Sequence, residues 1–140
     1  MSAVLFDTSI YVTALRTAVG GTVHLPHLGP GSMIWVSAVV LAELYAGAHS
    51  RDAKIVEQLE HDFAKVKRIL VPSLKDWTTA GNVLARFTAV YDYEATAKTR
   101  LISDAVLAMS AARQGITIVT ANQRDFARLA ALRPFSWRGL

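Results

Sequence analysis

The feature that most constrains this chain is its opening run, Ala3-Val4-Leu5-Phe6, which passes directly into Asp7-Thr8-Ser9. Apolar residues without alternation read as a strand buried on both faces, the mark of a parallel sheet. Such a strand ends near Phe6 and leaves Asp7 at its carboxyl edge, where open α/β sheets bind ligands. Asp7, Thr8 and Ser9 also serve well as helix N-caps. Which role dominates depends on whether other acids reach the same edge.

The rest of the chain alternates between helix and strand. Residues 10–18 read as a short helix stopped by Gly20-Gly21, and residues 24–32, with Pro26, Gly29, Pro30 and Gly31, as a loop. His24 and His27 lie in that loop, which supplies too few ligands for a metal. Residues 33–36 form a second buried strand, and Ser37 caps a helix over 38–48. Glu43 is the one carboxylate in that helix, flanked by Leu41, Ala42, Leu44 and Tyr45, and burying it without a partner is costly. It lies only about 9 Å along the axis from the cap. Residues 51–67 are an amphipathic helix, 68–72 a short strand closed by Pro72, and a helix begins at Ser73 or Asp76 and runs to about 91. A polar connection is expected over 92–100, then a helix over 101–112 with Asp104 in its first turn, where the helix dipole favours an acid. Residues 116–120 are a clear buried strand. Asn122 with Asp125 has the spacing of a capping box for a final helix to about 132, and residues 135–137 suit an edge strand.

At 140 residues the chain reads as one domain, 1–140, long enough to bury a core. A composition 52% hydrophobic and 19% charged excludes disorder. No apolar run reaches membrane-spanning length, and no basic segment precedes the first one, so neither a membrane span nor a secretory leader is expected. The absence of cysteine removes disulfides, thiolate zinc sites and cysteine nucleophiles, and fits a cytoplasmic protein. The net charge of +4 is compatible with a polyanionic partner, although the Lys and Arg residues are scattered.

In a parallel sheet with right-handed crossovers, strand carboxyl ends and helix amino ends share one rim. Asp7, Glu43, Asp104, Asn122 and Asp125 are all expected on it. Carboxylates brought together repel unless protonated or bridged by a cation. With no cysteine and no histidine cluster, an oxygen-only ligand set points to Mg²⁺ or Mn²⁺. Such an ion suits phosphodiester hydrolysis, since it polarises a phosphoryl oxygen and acidifies a bound water. No Walker-type loop is present to cradle a nucleoside triphosphate.

Four blocks carry a family resemblance: Leu5 to Ser9, Val36 to Leu44, Ser103 to Ala108, and Val119 to Asn122 with Asp125-Phe126. In order and spacing they resemble the PIN-domain nucleases, and within them the VapC toxins of bacterial toxin–antitoxin pairs. The resemblance implies an α/β fold, an α/β/α sandwich around a mainly parallel sheet of four to five strands, with a Mg²⁺-dependent (or Mn²⁺-dependent) endoribonuclease site. It makes Asp7 and Asp104 the principal metal ligands and Glu43 the third acid, with Ser9 and Thr120 in support. Asn122 departs from the pattern, since many relatives carry an aspartate there; Asp125 is the acid left to supply that charge. One-metal chemistry, or a second ion recruited with substrate, is therefore expected. The same resemblance implies RNA as substrate, a homodimer, and a cognate antitoxin whose tail blocks a groove near the site. The rival reading is a catalytically weak nucleic-acid-binding or regulatory module on the same scaffold.

Overall fold

The computed structural model describes residues 2–91 and 95–140, with the backbone alone at 95–100. The elements in order are β1 (Ser2–Phe6), α1 (Thr8–Arg16), β2 (Ser32–Ser37), α2 (Ala38–Gly47), α3 (Ser50–Lys65), β3 (Ile69–Leu70), α4 (Leu74–Tyr91), α5 (Ala95–Gln114), β4 (Thr117–Thr120), α6 (Gln123–Leu132) and β5 (Trp137–Gly139). The five strands form one sheet in the order β3-β2-β1-β4-β5, and every pairing is parallel. β1 is central, paired with β2 on one side and β4 on the other, which is why Val4, Leu5 and Phe6 are all buried.

From β1 the chain winds outward through β2 to β3, then returns past β1 to lay down β4 and β5 on the other flank. The order therefore reverses between β1 and β4, and the crevice at their carboxyl ends is the topological switch point of the sheet. The ladder continues one step past β1, with the Asp7 amide donating to the Val119 carbonyl at 3.1 Å. Asp7 is thus fixed by its backbone to the strand that ends at Thr120.

The helices cover both faces. α5 is the most deeply set, with Leu101, Ala105, Val106, Leu107, Ala108, Met109 and Ala111 buried. Its buried Ser110 hydroxyl is satisfied within the helix, bonding to the carbonyls of Val106 at 2.8 Å and Leu107 at 3.1 Å. α4 is pinned to α5 by a buried carboxylate. Asp76 Oδ2 accepts from the Ser73 amide at 2.9 Å while Ser73 Oγ accepts from the Asp76 amide at 3.2 Å, a reciprocal cap. Arg113, at the far end of α5, closes on the same carboxylate through Nε at 3.0 Å and Nη2 at 2.9 Å. Burial alone raises the Asp76 carboxyl, but the Arg113 and Ser73 hydrogen bonds and the guanidinium charge outweigh it and hold it below the ordinary carboxylate range.

Three expectations are corrected. The polar connection is helical from Ala95 onward, residues 92–94 lying outside the described residues, so Asp104 is the tenth residue of α5 and not a first-turn acid. The reason is that Ala95, Ala97, Lys98 and Arg100 are good helix formers although they form no apolar stripe. The last strand is Trp137–Gly139 rather than 135–137, because Phe135 turns inward to meet Phe126 edge-on, ring centroids 6.2 Å apart. Asn122 does occupy the N-cap position of α6, but its side chain makes no capping hydrogen bond. No described helix is long and apolar enough to cross a membrane.

Candidate active site at the switch point

Asp7 is buried, 4% exposed, and both of its oxygens are engaged. Oδ1 accepts from the Ser9 hydroxyl at 2.5 Å and from the Ile10 amide at 3.4 Å, so the residue does cap α1. Oδ2 accepts from the Thr120 hydroxyl at 2.5 Å. Each of those hydroxyls accepts a backbone amide in turn: Asn122 N–H reaches Thr120 Oγ1 at 2.8 Å, and Ala121 N–H reaches Ser9 Oγ at 3.4 Å. A hydroxyl that accepts from an amide has its own proton left to donate. The turn after β4 therefore sets both hydroxyls as donors to Asp7, one on each oxygen, and fixes the plane of the carboxylate. Among the described residues Asp7 forms no ion pair, so neutral groups alone hold it.

Glu43 is brought to the same neighbourhood. It is half-buried on α2, and its Oε1 accepts from the Thr8 hydroxyl at 2.9 Å. Thr8 directly follows Asp7, so the turn from β1 into α1 presents one acid and orients a second. Thr8 carries no apolar-pattern signal, and sequence reasoning weighed it only as a cap; its role shows only when α1 and α2 are packed.

On the other flank, the Asn122 side-chain amide donates to Asp125 Oδ2 at 3.2 Å. A capping box would hand the Asn122 backbone amide to Asp125, but that amide is committed to Thr120. This is why the box does not form. Asp104 is half-buried on α5, which packs against β4, α6 and α2. Among the described residues no group of three or more His, Asp or Glu side chains is gathered so as to hold a metal ion, so Asp7, Glu43 and Asp104 do not close into a three-acid cage, and His24 and His27 form no such group either. The acids and hydroxyls together offer oxygen donors only.

With this geometry in place, comparison with known proteins is informative. Residues 4–132 match the family model described as the PIN domain. The chain belongs to the PIN domain family. The match takes in every residue assigned above, from Asp7 to Asp125. Solved structures share the PIN fold over nearly the whole chain. VapBC2 from Rickettsia felis, bound to a DNA fragment from its promoter, matches with a TM-score of 0.65 at 18% identity, covering 99% of this chain and 98% of that one. DNA-bound VapBC from Salmonella typhimurium gives 0.67 at 16% identity, with 99% and 98% covered. VapBC-1 from nontypeable Haemophilus influenzae gives 0.61 at 16% identity, with 98% and 97% covered. Among curated proteins none matches the chain significantly.

Proposed function

We propose that this PIN domain is a divalent-cation-dependent endoribonuclease of the VapC type, the toxin of a toxin–antitoxin pair. The observation that carries the reading is Asp7: a buried carboxylate at the switch point, held on both oxygens by neutral donors. A buried carboxylate with no basic partner is expensive to keep ionised, and the carboxyl edge of the sheet, where ligands bind in open α/β folds, supports a cation as its partner. The donor set fits Mg²⁺ or Mn²⁺, hard ions that one or two carboxylates hold together with water and substrate phosphate. When bound, the ion supplies Lewis-acid polarisation of the phosphodiester and a more acidic water.

The chain's own residues do the rest. Ser9 and Thr120 keep Asp7 in one orientation, so no reorganisation is needed as substrate arrives. Thr8, next to Asp7, fixes one oxygen of Glu43, and in this reading the other is the general base for the attacking water. Asp104 is the second metal ligand in this reading, and Asp125, oriented by Asn122, contributes charge where a fourth acid is lacking.

The structural neighbours being VapBC complexes, the partner proposed here is a cognate antitoxin. A groove of about 230 Å³ includes the proposed base; its apolar floor of Val12, Leu15, Leu44 and Ala48 is flanked by Arg16, Glu43, His49 and Asp52, which suits an amphipathic segment of that partner. The toxin itself is proposed to be a cytoplasmic homodimer.

The deciding experiment is cleavage of RNA by the purified protein with Mg²⁺ or Mn²⁺, with chelator, and after Asp7→Asn. Cleavage confined to the metal-containing wild type is expected. Equal cleavage in chelator would sink the proposal, and salt-sensitive RNA binding without turnover would favour the rival non-catalytic module.

A further inference from the structure

A cleft of about 360 Å³ lies between the start of α4, the end of α5 and the chain leaving α6. Three cations line it, Lys75, Arg113 and Arg133, against one acid, Asp76. That acid is already neutralised, since both its oxygens are taken by Arg113. Lys75 and Arg133 are exposed and, among the described residues, form no ion pair. The cleft is therefore a positive site on a rigid base.

Its position relative to the switch point gives it a meaning. α6 starts just past Thr120 and runs for ten residues, about 15 Å, to the residue before Arg133. Arg124 and Arg128 lie four apart on that helix and so share a face, with Arg128 stacked 4.8 Å from the centre of the Tyr91 ring. Basic side chains thus recur along α6 from the catalytic edge to the cleft. The acid on this helix, Asp125, is engaged by Asn122 at its catalytic end.

We infer that the α6 arginines and the Lys75–Arg113–Arg133 cleft form an exosite for the phosphodiester backbone of the RNA strand that is cut at Asp7. The inference rests on the nuclease reading for the identity of the strand, and continuity with the catalytic edge is what favours nucleic acid over an acidic peptide. A strand held here is anchored about one helix length from the bond to be broken, and chain length becomes part of substrate choice.

The test is fluorescence anisotropy with a labelled single-stranded RNA of about twenty nucleotides, in chelator so that nothing is cut, across about 50–300 mM salt. The full-length protein is compared with Lys75→Gln/Arg133→Gln. Both side chains are exposed, and Arg113 is left in place because it holds Asp76. A matched control, Arg51→Gln/Lys54→Gln, removes the same charge from α3. The slope of log K against log salt should fall by roughly 0.7 per lost contact, about 1.4 for the pair, and stay unchanged in the control. An unchanged slope in the test pair overturns the inference, as does an equal fall in the control, or a loss of affinity confined to a polyglutamate peptide. A slope that falls in the test pair, when the wild type fails to cleave with Mg²⁺, keeps the RNA-binding surface and removes the nuclease; cleavage by the wild type with an unaltered slope in the pair does the opposite.

Discussion

Asp7 and Asp76 are both buried carboxylates, 4% and 3% exposed, and both lie at the start of a helix, yet they are compensated in opposite ways. Asp76 has its counter-ion inside the fold: Arg113 supplies three contacts, and Ser73 completes a reciprocal cap. Asp7 has two hydroxyls and an amide, all neutral. Hydrogen bonds to a carboxylate ease its desolvation but do not cancel its charge. The first arrangement finishes a structural joint; the second leaves an electrostatic demand for something from outside. Burial does not separate the structural acid from the one proposed to be functional. The charge of its partners does.

The most direct way to break this contrast is to neutralise Asp7. Asp7→Asn should leave the fold intact and lower metal-dependent RNA cleavage by at least about a hundredfold, near 2.7 kcal/mol in the barrier; a variant retaining full turnover would remove Asp7 from the chemistry. Thr120→Val should cost about ten- to a hundredfold by freeing one carboxylate oxygen, with Thr120→Ser restoring most of it. If the serine variant is as impaired as the valine, the hydroxyl is not what matters. Asp76→Ala should instead act on stability, lowering it by about 2 kcal/mol through loss of the cap and the charge-assisted hydrogen bonds. Calorimetry would show this, and an unchanged melting temperature would deny the joint its role.

Ion linkage sharpens the same comparison. Mg²⁺ at ten times its dissociation constant should stabilise the wild type by about 1.4 kcal/mol, stabilise Asp76→Ala equally, and leave Asp7→Asn unmoved. The smallest effect is in acid. The Asp76 carboxyl is held below its ordinary value of 3.8 in the folded chain, so its contribution is complete above that pH and is lost as the pH falls through the folded value. Asp76→Asn should therefore show a shallower loss of stability than wild type below about pH 4, measured by denaturant titration.

Much of the site was legible from local chemistry. An unbroken apolar run ending in an acid read as a buried parallel strand with Asp7 at its carboxyl edge, as cap or as ligand, and the pairing of β1 with β4 bears out the strand, as it does the run ending at Thr120. What local pattern could not reveal was where side chains choose between partners. Asn122 with Asp125 and Ser73 with Asp76 have the same three-residue spacing, but only the second pair forms a reciprocal cap. Thr120 takes the Asn122 amide first, a competition set by tertiary structure. Residues 95–100 lacked an apolar stripe, so propensity, not periodicity, made them helix and moved Asp104 inward along α5. Arg113 carried no signal at all, because its partner lies 37 residues away.

Thr120 and Asp7 stand 113 residues apart in the chain, joined by a single hydroxyl. During synthesis, the amino-terminal half emerges with Ser9 and the Ile10 amide to engage Asp7 Oδ1 but with nothing for Oδ2; β1 lacks its second neighbour until β4 is made. Under the proposed function, a nascent or prematurely ended polypeptide therefore lacks one of the two hydroxyls that hold the metal-binding carboxylate. On that reading cleavage waits until β4 has left the ribosome, a delay that would suit a chain proposed to be harmful to the cell that makes it.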